Sequence, residues 1–219
     1  MKYFVIIYTA KPKGESGETC ISTYNLDNAC KRCGTGARLI DNLISKGLSS
    51  IKTHFFATLS GDFLISNELY KFLIDKGIKL KSLKKVVDSK RKETTFYHLY
   101  TEISFPKSLP SSEGLVTERQ CQVCKRNGYF NDVKIGDYKK GIPTVIVPLK
   151  LIYQGINKDF LESSERFNTW EHFGLSNLKA EGMKVVRYAR PMLIVSERIK
   201  LAFEEYKVKD AKFEEIILI

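Results

Sequence analysis

Apolar residues along this chain gather in short runs of β-branched and aromatic side chains, separated by Gly, Pro, Ser and charged residues. Such runs predict strands over Tyr3–Tyr8, Thr53–Leu59, Thr94–Phe105, Thr144–Tyr153, Val185–Arg187 and Phe213–Ile219. Helical spacing is rarer. Leu39, Leu43 and Ile44 share a face and predict a helix over Gly36–Lys46; the stretch Leu161–Gly174, which holds the single tryptophan Trp170, predicts a short one. "SFPKSLPSSEG", Ser104–Gly114, breaks both periodicities and reads as a loop. The fold class that follows is α+β, with mixed or antiparallel sheets and few helices.

One pattern occurs twice. Phe63–Val87 aligns without a gap on Leu193–Ile217: Ser66 on Ser196, Leu69 on Ile199, Leu73 on Phe203, Val86 and Val87 on Ile216 and Ile217. Each copy predicts a short strand, a serine that caps a helix start, an amphipathic helix and a return strand. Duplication and convergence on one β-α-β module both account for it. The helices read as core-packed supports.

Cysteine carries the strongest chemical signal. Four of five cysteines form two Cys-x-x-Cys turns, Cys30/Cys33 and Cys121/Cys124. Each turn aims two sulfurs at one point, and a glycine behind it (Gly34, Gly128) lets the chain fold back. Two facing turns give the four thiolates that a structural zinc ion requires. Zinc with four thiolates is doubly negative; Lys31, Arg32, Lys125 and Arg126 beside the turns supply counter-charge. The alternatives are a pair of redox dithiols, or free cysteines. Cys20 stands apart and reads as a small buried hydrophobe. Residues 34–120 separate the pairs, so a shared ion requires the intervening chain to fold and return. Two lobes bridged by the knuckles are expected: residues 1–130, carrying both pairs, and 131–219, a C-terminal α+β lobe.

The 219 residues carry a formal net charge of +11 and are 43% hydrophobic, which excludes wholesale disorder. No apolar run reaches the roughly 18 residues of a membrane span. "KYFVIIYT" is short, with no basic leader or cleavage site, and reads as a first strand; a cytoplasmic address is expected. Disulfides rarely persist there, which favours metal or redox chemistry over structural cross-links. The basic balance fits a lysine-rich solvated surface, or a nucleic-acid partner met by the strip Lys76–Lys92, the knuckle cations and stacking from Tyr129 and Phe130.

Two separated Cys-x-x-Cys turns, the first as "CKRCG", together with the ending "RPMLIVSERIKLAFEEYKVKDAKFEEIIL", resemble the double-CxxCG proteins of bacterial contact-dependent and polymorphic toxin systems. The resemblance covers the knuckles and the C-terminal module. Lys125 departs from it, standing where glycine directly follows the second turn. The resemblance implies a non-catalytic immunity protein that binds and neutralises a cognate toxin. The basic chain suits an acidic toxin or one of different chemistry; a basic nuclease would need a locally acidic contact patch, for which Glu162–Glu165 and Phe203–Glu205 are small candidates.

No phosphate-cradling glycine loop, His-Glu-x-x-His or nucleophile elbow is present. His54, His98 and His172 lie in aromatic stretches and read as structural; His172, beside Glu171 and Trp170, is the most site-like. The expected activity is stoichiometric binding without turnover. An enzyme built on His172 or a free cysteine is the third reading, after toxin neutralisation and nucleic-acid binding.

Overall fold

The run Tyr3–Tyr8 carries neighbouring apolar side chains at Tyr3, Phe4, Val5 and Ile6, and all four are buried. A strand alternates its side chains between faces, so such a run needs cover on both sides. The computed structural model describes residues 2–80, 83–176 and 186–219, and supplies that cover. Numbered along the chain, the strands of its two large sheets are β1 (Tyr3–Tyr8), β2 (Phe55–Ala57), β3 (Phe63–Ser66), β4 (Lys85–Val87), β5 (Glu93–His98), β6 (Leu115–Thr117), β7 (Tyr129–Asn131), β8 (Arg166–Phe173), β9 (Arg190–Ser196) and β10 (Ala211–Glu215). The helices are α1 (Asn67–Asp75), α2 (Lys158–Glu162) and α3 (Glu197–Glu205).

One sheet has six strands in the order β6-β7-β8-β9-β1-β10, the other four in the order β2-β3-β5-β4. Only β7 and β8 pair parallel within them. The protein is thus α+β with mixed and antiparallel sheets. The six-stranded sheet takes strands from both sides of residue 130.

The repeated pattern is a repeated structure. β3-α1-β4 and β9-α3-β10 each leave a gap between their two strands, and one antiparallel strand fills it: β5 in the first unit, β1 in the second. The registers correspond. Tyr97 of β5 faces Ile65 on one side and Lys85 on the other; Phe4 of β1 faces Val195 and Glu215. The filling strand follows its unit in the first copy and precedes it in the second, so the copies are circularly permuted. Each helix starts at a serine whose hydroxyl accepts an orphan amide, Ser66 from Leu69 N and Ser196 from Ile199 N.

Both helices feed one core. Leu69, Leu73, Ile199, Ala202 and Phe203 pack with Phe55, Ile65, Phe4, Ile6 and Val195. Full burial of such a side chain stabilises by about 1.5–3 kcal/mol. Tyr3 and Val5, on the other face of β1, pack with Phe105, Leu151, Tyr153 and Phe167. The outer face of the smaller sheet is covered by Leu39, Leu43 and Leu48.

Two helix expectations fail. Gly36–Lys46 is not helical: Arg38–Leu39 pairs with Tyr24–Asn25, and Ser45–Lys46 with Glu15–Ser16. Leu39, Leu43 and Ile44 are buried, as their spacing implied, but the backbone finds partners far away. Val87 N donates to Leu43 O, and Ile44 N to Ser22 Oγ. Leu161–Gly174 is mostly β8, with Trp170 on the strand; α2 ends at Glu162. Pairing with β9 overrides local preference there. Thr94–Phe105 is strand only to His98, and Thr144–Tyr153 splits into Val145–Ile146 and Ile152–Tyr153, with different partners. Of the strand expected at Val185–Arg187, Val185 lies outside the described residues.

Candidate metal centre

Residues 17–46 contain little regular structure beyond a short 3-10 turn and two-residue strand pairs. The first cysteine turn emerges from this irregular chain. The second follows β6 and leads into β7, at the edge of the six-stranded sheet. They meet. Cys30 Sγ lies 3.8 Å from Cys121 Sγ, and Cys33 Sγ 3.6 Å from Cys124 Sγ. All four sulfurs lie within 4.8 Å of one another. A tetrahedron with Zn–S bonds of about 2.3 Å has S···S edges of about 3.8 Å, whereas a disulfide needs about 2.05 Å. All five cysteines are free thiols. The four sulfurs make a tetrahedral-type site suited to one structural zinc ion, and they tie residues 30–33 to residues 121–124.

The two turns share one geometry. Gly34 N donates to Cys30 O at 2.7 Å, and Lys125 N donates to Cys121 O at 3.0 Å. Gly34 has φ +76° and Lys125 φ +56°. Lys125 therefore adopts the left-handed conformation that glycine supplies in the first turn, at a cost of about 1–2 kcal/mol. Behind it, Asn127 Oδ1 accepts from Cys121 N at 2.8 Å. Gly128 closes the turn at φ +77°, where an added Cβ would lie 2.3 Å from Glu118 O.

The surroundings favour the thiolate at Cys121 and, through burial, disfavour it at Cys33 and Cys124. Burial pushes the Cys33 thiol up, although Thr35 opposes this through its hydroxyl, 3.1 Å from the sulfur, and its amide. Burial also raises Cys121, but the amides of Cys124 and Val123, together with the side chains of Cys33 and Cys30, outweigh it and bring its pKa below the usual range. Lys31, Arg32 and Lys125 are exposed at the rim, while Arg126 turns inward over the Trp170 ring at 5.6 Å. Cys20 is not among the four: it is buried against Ile44 and Val87.

A second polar cluster, which sequence reasoning missed, lies at the seam between the sheets. Arg190 Nη2 donates to Glu18 Oε2 at 2.6 Å, and its Nε to Asp62 Oδ1 at 3.2 Å. Asp62 also accepts from Ser16 Oγ at 2.6 Å, and His98 Nε2 lies 3.7 Å away. Burial alone would raise the Asp62 carboxyl, but Arg190, His98 and Ser16 hold it below the usual carboxylate range. These charges are far apart in sequence and form no motif. The one local signal is Arg190 at the head of an apolar strand.

All three histidines have internal contacts. His54 Nδ1 is 2.9 Å from Ser66 Oγ, and His172 Nδ1 is 2.9 Å from Trp170 O. Burial lowers His98 to about 4 and His172 to about 3. Asp62 partly opposes the shift at His98; Arg190, Arg166 and Lys84 add to it. Both are neutral in the folded protein and titrate near 6.5 when unfolded. Their contribution is complete above pH 6.5 and is lost as pH falls toward 4 and 3, by on the order of 1.4 kcal/mol per pH unit for each. The slope of unfolding free energy against pH, measured by urea titration between pH 6.5 and 5, is expected to flatten by about that amount in His98→Gln; an unchanged slope contradicts it.

No family model matches the chain, and no curated protein matches it. Among the described residues, no helix is long and apolar enough to cross a membrane.

Proposed function

We propose that this protein is a zinc-clamped, non-catalytic immunity-type protein that binds and neutralises a cognate bacterial toxin. The resemblance of its knuckles and C-terminal module to double-CxxCG proteins supports the reading, and so does the left-handed Lys125, which removes that departure as an obstacle. The observation that carries it is a surface. Beyond β7 the chain forms a ribbon, Val133–Lys134 paired with Val145–Ile146. Val133, Ile135, Ile142, Val145 and Ile146 are all exposed, Ile135 to 88%. A cluster of large aliphatics in water marks a protein contact. The ribbon also carries Lys134, Lys139 and Lys140, which suits an acidic toxin surface. The small acidic patches are poorer candidates, because Glu165 and Phe203 are buried.

Nucleic-acid binding has less support. Tyr129 is 7% exposed and cannot stack on a base. Within the basic strip, Lys76 pairs with Glu205 at 2.5 Å, Lys84 reaches Ile40 O, and Lys85 lies over Tyr97; Lys81 lies outside the described residues. The reading predicts a toxin gene beside this one, and the test is co-expression with its product. Growth rescue and a stoichiometric complex are expected, with Ile135→Asp weakening the complex at least about tenfold, as loss of a buried aliphatic anchor does. Failure to rescue overturns the reading, and binding to RNA or DNA that weakens steeply with salt favours the other.

A further inference from the structure

A cavity of about 140 Å³ lies at the seam between the two sheets, with Asn28, Gly36 and Arg126 from near the cysteine turns in its wall. Its walls include Arg38, Arg126, Arg190, His172, Tyr24 and Glu102. The groups that hold the fold have their hydrogen bonds filled, and those that face the space do not. Arg190 is fully committed. Its Nε serves Asp62, its Nη1 Glu18 and Tyr188 O, and its Nη2 Glu18 and Tyr24 Oη. It has no N–H left for a ligand, and two carboxylates offset its charge.

Arg126 and Arg38 differ. Arg126 Nε reaches Trp170 O at 3.5 Å, and its two terminal nitrogens make no hydrogen bond among the described residues. Gly36 leaves them room: a Cβ there would lie 3.4 Å from Nη1. The contact of Arg38 with Glu102 is long, 3.7 Å, and both side chains are half exposed. His172 is buried. Its Nδ1 donates to Trp170 O, so its Nε2 carries a lone pair with no donor from the protein. The cavity thus presents the terminal N–H groups of Arg126, a guanidinium from Arg38 held only by the long contact to Glu102, and one imidazole acceptor.

A halide satisfies the donors and leaves the acceptor bare. Sulfate does the same, since it carries no proton near neutral pH. An oxyanion that keeps a hydroxyl satisfies both. We propose that this cavity binds a small oxyanion bearing an O–H group, hydrogen phosphate being the simplest, with Arg38 and Arg126 donating to its oxygens and His172 Nε2 accepting its hydroxyl. Charge-assisted bidentate contacts favour guanidinium for such a group. The site is separate from the exposed ribbon, and its occupation does not depend on the toxin reading.

The test is calorimetric titration of the full chain, as purified without chelator, with inorganic phosphate and with sulfate. Saturable phosphate binding at one site per chain is expected, with sulfate at least about tenfold weaker because the imidazole acceptor is left unpaired. Arg126 also faces the sulfur cluster, so the variants are made elsewhere. Arg38→Gln, at a half-exposed side chain, is expected to weaken phosphate binding about tenfold or more. Glu102→Gln removes a competing carboxylate and is expected to strengthen it. Absence of saturable binding overturns the proposal, as does equal affinity for phosphate and sulfate, or phosphate affinity unchanged in Arg38→Gln. Zinc content, measured on the same samples, fails or succeeds separately.

Discussion

Removing the metal, by chelation or by Cys33→Ser, is expected to cost more stability than any other single change. Structural zinc contributes about 10–16 kcal/mol of apparent binding energy in small zinc-folded peptides, against a total stability of about 5–15 kcal/mol for a domain. Here much of the fold has its own core, so the loss falls unevenly. The two sheets with α1 and α3 carry large apolar clusters. Residues 17–46 have a 3-10 turn and two-residue strand pairs, and their hold on the second knuckle is the sulfur cluster. Amide exchange is expected to rise first in residues 17–46 and 118–128, with urea unfolding at pH 7 losing at least about 5 kcal/mol. Elemental analysis of protein purified without chelator is expected to give one zinc per chain, and Cys20→Ser is expected to leave that ratio unchanged. Metal-free protein with an unaltered midpoint would remove the structural role.

Arg190→Met is expected to be the next most damaging change, at about 3–5 kcal/mol at pH 7. It strands two carboxylates: Asp62 and Glu18 have side chains only 7% and 8% exposed. The charged partners, more than the lost packing, set the cost. Without Arg190 the carboxyl of Asp62 rises, so the deficit is expected to shrink as pH falls and the acids take up protons. Adding Asp62→Asn and Glu18→Gln to Arg190→Met is expected to recover much of the stability, because it removes the stranded charge. Urea titrations of the single and triple variants check both statements. A single variant within 1 kcal/mol of the wild type, on the scale of an exposed pair, shows that the cluster is solvated.

Legibility followed the range of the interactions. The strand Tyr3–Tyr8 was readable to the residue because its own side chains demand burial on both faces. The repeat was readable because its signals sit within 25 or so residues, about the span of one supersecondary unit: a serine cap, a helical stripe and a return strand. Gly36–Lys46 was misread because Leu39, Leu43 and Ile44 are buried at a spacing common to a helix and to a looping chain. Trp170 was misplaced because pairing between β8 and β9 decided its conformation.

Spacing along the chain already marked Cys30, Cys33, Cys121 and Cys124 as candidate ligands and shaped the turns that aim them; this is local chemistry, set by spacing and by backbone that can adopt positive φ. It also determined two strand–helix–strand units with capped helices. The tertiary structure alone decided that β1 and β5 fill equivalent gaps in permuted order, that the distant knuckles close to 3.6–3.8 Å, and that Glu18, Asp62 and Arg190 meet in the interior. Those outcomes depend on long-range closure, where chain entropy is spent for contacts between residues whose positions in sequence carry no trace of one another.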